Sequence, residues 1–523
     1  MKSNPNTVDP HAVRASDWIE QHSRRTPHKL AQIDLTSGRR FTYRKMNDRV
    51  GRIAEYLASI GVDRGDRVGL LLPNSTDALE IIFATWRLGG IAVPFDLRLS
   101  IKELTTLIKD AQPSVMFFDH ALQKTMEALR ESTGVPAWIA TDGAAGDTPY
   151  EMVMRSVDPK LAKTLDQPSA DPCLLLYSAG TTARPKASIV THEMLTYSAL
   201  DSIQAYRITQ DSVHLAGLPF YRAAGLNAFA FPVLCLGGHA IIQRDFAPSE
   251  TWAALADTEL SVTHFVADPA IYRALLDHTD RPATTLAHLQ VMAIGGATVS
   301  AALIERWSRL DVRLQPFYGA TETLGVGCLL PADQVGDKDG AAGIGGLHLT
   351  TKIANEDGTS VPDGQRGELW MRGPAIAPGY WNRPEATAKH FIDGWFKTGD
   401  LAHQDDDGCI YIEDRMADTY TCGGEKVCPV EVERALASIE AIDEVAVIGV
   451  DDSEWGQVGC AVVALKTGQR LSLDDVVRHV TGLIDRFKHP AHLVVVDALP
   501  RNPAGHVRKY RLRKSIPPAL TLR

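Results

Sequence analysis

The stretch that most constrains this chain is Leu174–Lys186, which reads LLLYSAGTTARPK. Its apolar start, Leu174–Tyr177, has the composition of a buried strand in a parallel sheet. The strand feeds a tight turn of small and hydroxyl residues, Ser178, Ala179, Gly180, Thr181, Thr182 and Ala183, followed by Arg184, Pro185 and Lys186. Small residues let backbone N–H groups approach an anion, threonine hydroxyls add donors, and Lys186 adds a positive charge. This is chemistry suited to phosphates. It is not a P-loop, because no Gly-Lys-Ser/Thr follows Gly180 at the required spacing. An ordinary strand-to-loop turn uses the same residue types, so the stretch gains meaning only from its surroundings.

Those surroundings alternate strands and helices. Residues 12–26 are amphipathic, Ala31–Leu35 and Arg40–Thr42 read as paired strands, and Tyr43–Ile60 reads as a helix ending at Gly61. Arg67–Leu72 is a buried strand, Pro73-Asn74-Ser75 a turn and helix cap, Thr76–Leu88 a helix closed by Gly89-Gly90, and Ile91–Pro94 the next strand. Ser114–Phe118, Ala137–Ala140, Leu215–Leu218, Ala240–Ile242 and Val262–Val266 continue the series. Val291–Ile294 runs into Gly295-Gly296-Ala297, and Leu314–Tyr318 into Gly319-Ala320-Thr321-Glu322. Such switches at the carboxyl ends of parallel strands are where ligands bind. The rhythm predicts doubly wound α/β sheets.

From Gly343 to Asp414 the strands shorten and Gly, Pro and Asp become frequent, which predicts a β-rich subdomain. Beyond Arg415 a hairpin at Tyr420–Val427, helices at 430–438 and 473–483, and strands at 445–450, 461–465 and 493–496 make a compact α+β unit. A domain boundary is expected at 415–418, and 523 residues are in any case too many for one core.

Composition removes several function classes. A net charge of −10 argues against a general nucleic-acid binder. Residues 1–13 lack the basic and apolar segments of a signal peptide. The longest uncharged run, 223–243, contains Asn227, Pro232, Gly237, Gly238 and His239, so a buried helix plus strand is expected there and no membrane span. Seven scattered cysteines without a C-x-x-C pair suggest a reducing cytoplasm, with neither zinc nor disulfides.

Several ordered motifs then give the chain a resemblance. They are YSAGTTARPK at 177–186, YGATE at 318–322, GELWMRGP at 367–374, GYW at 379–381, WFKTGD at 395–400, DR at 414–415, GGEKVCPVEVE at 423–433 and PRNPAG at 500–505. Together they resemble the adenylate-forming superfamily, which includes acyl- and aryl-CoA ligases, firefly luciferase and stand-alone adenylation domains. The resemblance implies an α/β fold with a large N-terminal domain, 1–414, of doubly wound sheets plus a β-rich subdomain at about 343–414. A hinge at 415–418 and a small mobile α+β domain, 419–523, would follow.

The implied reaction is attack of a carboxylate on the α-phosphate of ATP, with Mg2+, release of pyrophosphate, and displacement of AMP by coenzyme A. The resemblance also assigns roles. Ser178, Gly180, Thr181, Thr182 and Lys186 would hold the β- and γ-phosphates, Thr321 the α-phosphate, and Glu322 the Mg2+, as a hard oxygen ligand. Gly295, Gly296, Ala297, Tyr318 and Gly319 would border the nucleotide, with Tyr318 against adenine. Asp400 and Arg415 would take the ribose, and Gly423-Gly424 the pantetheine after domain rotation. Taken singly, Asp400 is equally a turn residue, Glu322 a carboxylate at a helix start, and Gly423-Gly424 a hairpin turn.

The departures from the family pattern are informative. Its lysine after Pro-Ala-Gly is here His506. Charge gathers on the α-phosphate oxygens in the transition state, and losing a comparable electrostatic donor costs on the order of 3 kcal/mol, roughly a hundredfold. His506 as imidazolium, or Arg508 two residues on along an extended strand, would replace it. Ala417 stands at the usual hinge position, and Ala179, Ala183 and Ala187 replace Ser and Gly in the phosphate loop. Arg222 replaces a histidine that flanks the acid pocket, with Tyr221, Gly225, Phe317 and Leu324 as further lining residues. An arginine there could clamp a second polar group on the substrate, or pair with a nearby acid.

The expected enzyme is therefore a cytoplasmic acid–CoA ligase for an aryl or short polar acid, a monomer or homodimer. The alternative is an adenylating enzyme with a non-CoA acceptor (an amine or a carrier-protein thiol) or a non-carboxylate oxyanion such as nitrite.

Overall fold

A computed structural model describes residues 14–141, 149–158, 166–178, 185–279, 286–501 and 507–516. The described chain divides into two compact units. The first runs to Ser178, from Lys186 to Thr350 and from Met371 to Phe396; the second takes Thr351 to Trp370 and the residues from Lys397 onward.

The first unit holds two sheets. One runs in the order Ala137–Thr141, Val115–Asp119, Arg67–Leu71, Ile91–Pro94, Pro172–Tyr177, Ala187–Thr191. Its first five strands are parallel, and they read as near-continuous apolar runs because both faces are covered. The crossover helix Thr76–Arg87 is buried along its whole length, with Ser75 Oγ accepting from Ala78 N at 3.2 Å to cap it. Its buried Glu80 is balanced by Arg49 Nε, 2.8 Å from both carboxylate oxygens, and by the Tyr150 hydroxyl at 2.9 Å.

The other sheet has the order Ile344–Gly345, Cys328–Leu329, Leu314–Tyr318, Val291–Ile294, His264–Ala267, Val213–Ala216, His239–Ile242, Leu30–Asp34, Arg40–Thr42. Its six central strands are parallel and antiparallel strands close both edges. The doubly wound α/β architecture expected from the sequence is therefore present. The uncharged run at 223–243 is broken into two helices, Ala223–Asn227 and Ala230–Leu236, before the strand His239–Ile242. Among the described residues no helix is long and apolar enough to cross a membrane.

In the second unit, residues 351–354, 367–370 and 397–404 lie in one sheet, with Ile410–Arg415 antiparallel to 400–404. A further sheet runs Glu425–Val427, Tyr420–Cys422, Gly456–Leu465, Ile442–Asp452, with His492–Val495 parallel to Gly456–Leu465. Helices Pro429–Leu436 and Lys509–Ser515 both pack on Ile442–Asp452. The segment Arg415–Asp418 lies within this unit. It is held by Met416 N donating to Gly399 O at 2.8 Å and by an ion pair from Asp418 to Arg513.

Candidate functional site

The first cluster forms at the neck of the loop that follows Tyr177. The chain returns from that loop as the antiparallel strand Ala187–Thr191, in register Tyr177↔Ala187 and Leu176↔Ser188. Ser178 N donates to Lys186 O at 3.0 Å and closes the neck. Gly180, Thr181 and Thr182 lie outside the described residues. Lys186 is half-buried, with Nζ 4.5 Å from the centre of the Tyr380 ring and 3.5 Å from His390 Nε2. Burial pulls the Lys186 pKa below that of an exposed lysine, Glu322 opposes the shift and Lys389 adds to it. The Tyr380 hydroxyl donates to Glu322 Oε1 at 2.6 Å.

Glu322 is delivered by a turn at the carboxyl end of Leu314–Tyr318. Thr321, Glu322 and Thr323 form a short 3-10 turn, and Ala320 N donates to Thr323 Oγ1 at 3.0 Å. Leu324 follows at φ 56°, a conformation that costs a branched side chain, and Gly325 at φ 88°. The turn is pinned by Gly327 N to Tyr318 O at 2.8 Å and by Ala377 N to Glu322 O at 2.9 Å. A side chain at Gly319 would stand 2.3 Å from Gly325 O, so glycine is needed there for backbone to pass backbone. Strain of this kind gathers where geometry is over-determined.

Gly295, buried at the end of Val291–Ile294, lies against Phe317; a methyl group there would meet its ring at 2.7 Å. Gly296 and Ala297 are exposed, Phe317 is buried, and Leu324 is fully buried in the core beside Ala223 and Leu226. The segment from Leu218 to Phe220 is fixed by buried Asn74, which donates to Leu218 O at 2.9 Å and accepts from Phe220 N at 2.8 Å. Tyr221 and Arg222 follow. Burial first, then Asp96, push the Tyr221 pKa up to about 12. Arg222 is held below the usual guanidinium range by burial and by Arg98, while Tyr221, Asp268 and Asp96 pull the other way. Arg98 is itself bidentate on Asp96, at 2.9 and 2.7 Å. Gly225 closes this turn against Pro219 O.

In the second unit Asp400 and Arg415 face each other across two antiparallel strands, with Arg415 Nε 2.9 Å from Asp400 Oδ1. Asp400 is buried and Arg415 half-exposed. Gly423 and Gly424, at φ 58° and 89°, make the two-residue turn of the hairpin Tyr420–Val427. Gly423 is exposed and packed against the half-exposed ring of Trp455. His506 lies outside the described residues. The extended run expected through 506–508 ends at Val507, which pairs with Arg501. Arg508 starts the helix Lys509–Ser515, because Pro500 O takes its N–H at 2.7 Å and turns the chain.

The structure thus brings Lys186 to Glu322 through Tyr380, Gly295 to Phe317, and Asp400 to Arg415. Sequence reasoning missed Tyr380 and Asn74 as site-forming residues. The signal for Tyr380 lay in the GYW motif. Its backbone is stitched to the strand after the loop, with Trp381 N donating to Ala187 O at 2.9 Å and Ile189 N to Gly379 O at 3.0 Å.

With this geometry in place, comparison with known proteins is specific. A family model described as AMP-binding enzyme matches residues 19–381, and its C-terminal domain model matches residues 431–506. A feruloyl-CoA synthase from Amycolatopsis sp. is 33% identical over 497 residues, covering 95% of this chain and 98% of that protein. An indoleacetate–CoA ligase from Aromatoleum aromaticum is 31% identical, covering 96% and 98%. The crystal structure of ATP-bound MatB from Rhodopseudomonas palustris superposes with a TM-score of 0.88 at 29% identity, over 96% of this chain and 99% of that one.

Proposed function

Because the chain belongs to the AMP-binding enzyme family, we propose that it carries out the two half-reactions of an acid–CoA ligase with the residue roles given below. The overall reaction is ATP-dependent activation of a carboxylic acid. A carboxylate oxygen attacks the α-phosphorus of ATP, and the bond to pyrophosphate breaks. The thiol of coenzyme A then attacks the acyl carbon, its proton is lost, and AMP leaves. An acceptor other than coenzyme A, or an oxyanion other than a carboxylate, is not favoured, since the two relatives above are both named for coenzyme A.

In this reading Lys186, with Thr181 and Thr182, holds the β- and γ-phosphates, and Thr321 contacts the α-phosphate. Mg2+ accompanies the nucleotide. Glu322 fits it as a hard oxygen donor. Among the described residues no group of three or more His, Cys, Asp or Glu is placed to hold a metal, and one carboxylate plus substrate phosphates is how Mg2+ is commonly bound. When bound, the ion neutralises charge on the phosphates. Tyr318 lies against adenine, and Asp400 accepts from the ribose hydroxyls beside Arg415. Arg415–Asp418 acts as the hinge, and Gly423-Gly424 line the pantetheine path. His506 or Arg508 stands in for the family lysine.

The acid is an aryl or short polar one. Support comes from the aryl-bearing acids in the names of both relatives, from Phe317 packed against Gly295, and from Arg222 at the pocket flank. Arg222→Ala is then expected to lower kcat/KM about tenfold for acids with a polar ring substituent and to leave unsubstituted aryl acids within about twofold. Seven free cysteines suit a reducing cytoplasm.

The observation that carries this reading is the meeting of Lys186 and Glu322 on one tyrosine at the neck of the 178–186 loop. The test is pyrophosphate release with Mg2+-ATP across aryl, dicarboxylic and short-chain acids, with and without coenzyme A, the products weighed by mass spectrometry. An acid-dependent thioester is expected. Acid-dependent release without a thioester would overturn the coenzyme A step.

A further inference from the structure

Lys186 and Glu322 are far apart in the chain, and both are charged. What spaces them is a third residue. Tyr380 is buried, with only 5% of its surface exposed, and it touches both. Its hydroxyl is 2.6 Å from Glu322 Oε1, the short range of a hydroxyl donating to a carboxylate. Its ring carries the Lys186 ammonium 4.5 Å from the centroid, within cation–π reach.

The tyrosine is itself rigidly held. Its backbone pairs with Ser188, the second residue after Lys186, in an antiparallel bridge. Tyr380 N donates to Thr387 Oγ1 at 2.9 Å, and Gly379, at φ 154°, makes room for that threonine; a side chain there would sit 2.5 Å from Thr387. The rings of Phe391 and His390 pack edge-on against the Tyr380 ring at 5.4 and 5.9 Å. Filling this space alone would need only a phenylalanine. The hydroxyl is the part that packing does not explain, and a carboxylate accepts it.

We propose that Tyr380 is a positioning residue for acid activation: its hydroxyl sets the plane of the Glu322 carboxylate, its ring face sets the height of the Lys186 ammonium, and one side chain thereby spaces the two charges that receive Mg2+-ATP. The proposal rests on the reading of Glu322 and Lys186 given above. Because hydroxyl and ring act on different partners, they separate experimentally. Tyr380→Phe keeps the ring under Lys186 and removes the bond to Glu322. Tyr380→Leu removes both.

The experiment measures ATP binding by calorimetry on the full chain, with and without Mg2+, and the Mg2+ dependence of pyrophosphate release with one accepted acid. Tyr380→Phe is expected to raise the half-saturating Mg2+ concentration about tenfold, the worth of one hydrogen bond to a charged group, and to leave metal-free ATP binding within about twofold. Tyr380→Leu is expected to weaken metal-free ATP binding as well. Thermal unfolding of each variant shows that it is folded. An unchanged Mg2+ dependence in Tyr380→Phe, or the same loss in Phe and Leu variants, would overturn the proposal. Glu322→Gln and Lys186→Met are run alongside. If they bind Mg2+-ATP as the wild type does, the site reading itself falls; if they are impaired while Tyr380→Phe is not, only the positioning role falls.

Discussion

Two buried histidines make the stability of the first unit depend on pH below neutrality. His214 sits on the strand Val213–Ala216, between His239–Ile242 and His264–Ala267. It is 1% exposed, and Nδ1 donates to His264 O at 3.1 Å. His192 starts the helix His192–Ala205, against the edge of Trp86. Neither Nε2 has a hydrogen-bond partner among the described residues. Burial lowers the pKa of His192 to about 4 and that of His214 to about 3. In the unfolded chain both take a proton near about 6.5. The folded state therefore binds fewer protons, and stability present above about pH 6.5 is lost as pH falls towards the folded values. Each histidine approaches a slope of about 1.4 kcal/mol per pH unit only well below pH 6.5, so between pH 7 and pH 5 it removes about 2 kcal/mol and the pair about 4 kcal/mol. Urea unfolding followed by tryptophan fluorescence at pH 7, 6 and 5 measures it. His214→Asn retains a donor for His264 O but cannot titrate. Between pH 7 and pH 5 it should lose about 2 kcal/mol less stability than the wild type. Parallel slopes for wild type and variant would refute the reasoning.

Other outcomes follow from the site. Gly319→Ala forces Cβ to within 2.3 Å of Gly325 O, so the turn carrying Thr321 and Glu322 must open; acid-dependent pyrophosphate release should fall about a hundredfold while circular dichroism is retained. Gly424→Ala, at φ 89°, strains the hairpin by about 1 kcal/mol; thioester formation should slow several-fold in single-turnover assays while acyl-adenylate formation keeps its rate. His506→Lys should speed adenylation, by up to about a hundredfold, and remove any decline in AMP formation above about pH 6.5.

Much of this was legible in the sequence alone, and particular residues show where legibility stopped. The strands around Val68 and Phe117 are apolar on both faces, so their existence and parallel packing follow from composition. The return after Lys186 did not: Ala187–Thr191 reads the same in either direction, and only its pairing with Pro172–Tyr177 makes it antiparallel. The break at Phe229 splits what hydropathy alone presents as one helix. Of the proposed functional residues, Lys186, Glu322, Asp400 and Arg415 were marked by motif. Their partners were not. Asp400 meets Arg415 because the strand pairing slips between Leu401 and Ala402, and a bulge leaves no trace in alternation. Tyr380 was visible as a letter in GYW, but a tyrosine's task depends on what stands opposite its hydroxyl, and that is set by a fold contact far along the chain.

The stitching of Gly379–Trp381 onto Ala187–Ile189 has a consequence for biosynthesis. Ala187–Thr191 is the last strand of its sheet, and among the described residues its outer edge is hydrogen-bonded to that late segment. A nascent chain that has emerged through the loop but not yet through Trp381 carries an apolar strand with an open rim, the kind of edge along which chains aggregate. Ribosome-bound or truncated fragments ending between these points should depend on holding chaperones, and release from them should coincide with the arrival of the tyrosine.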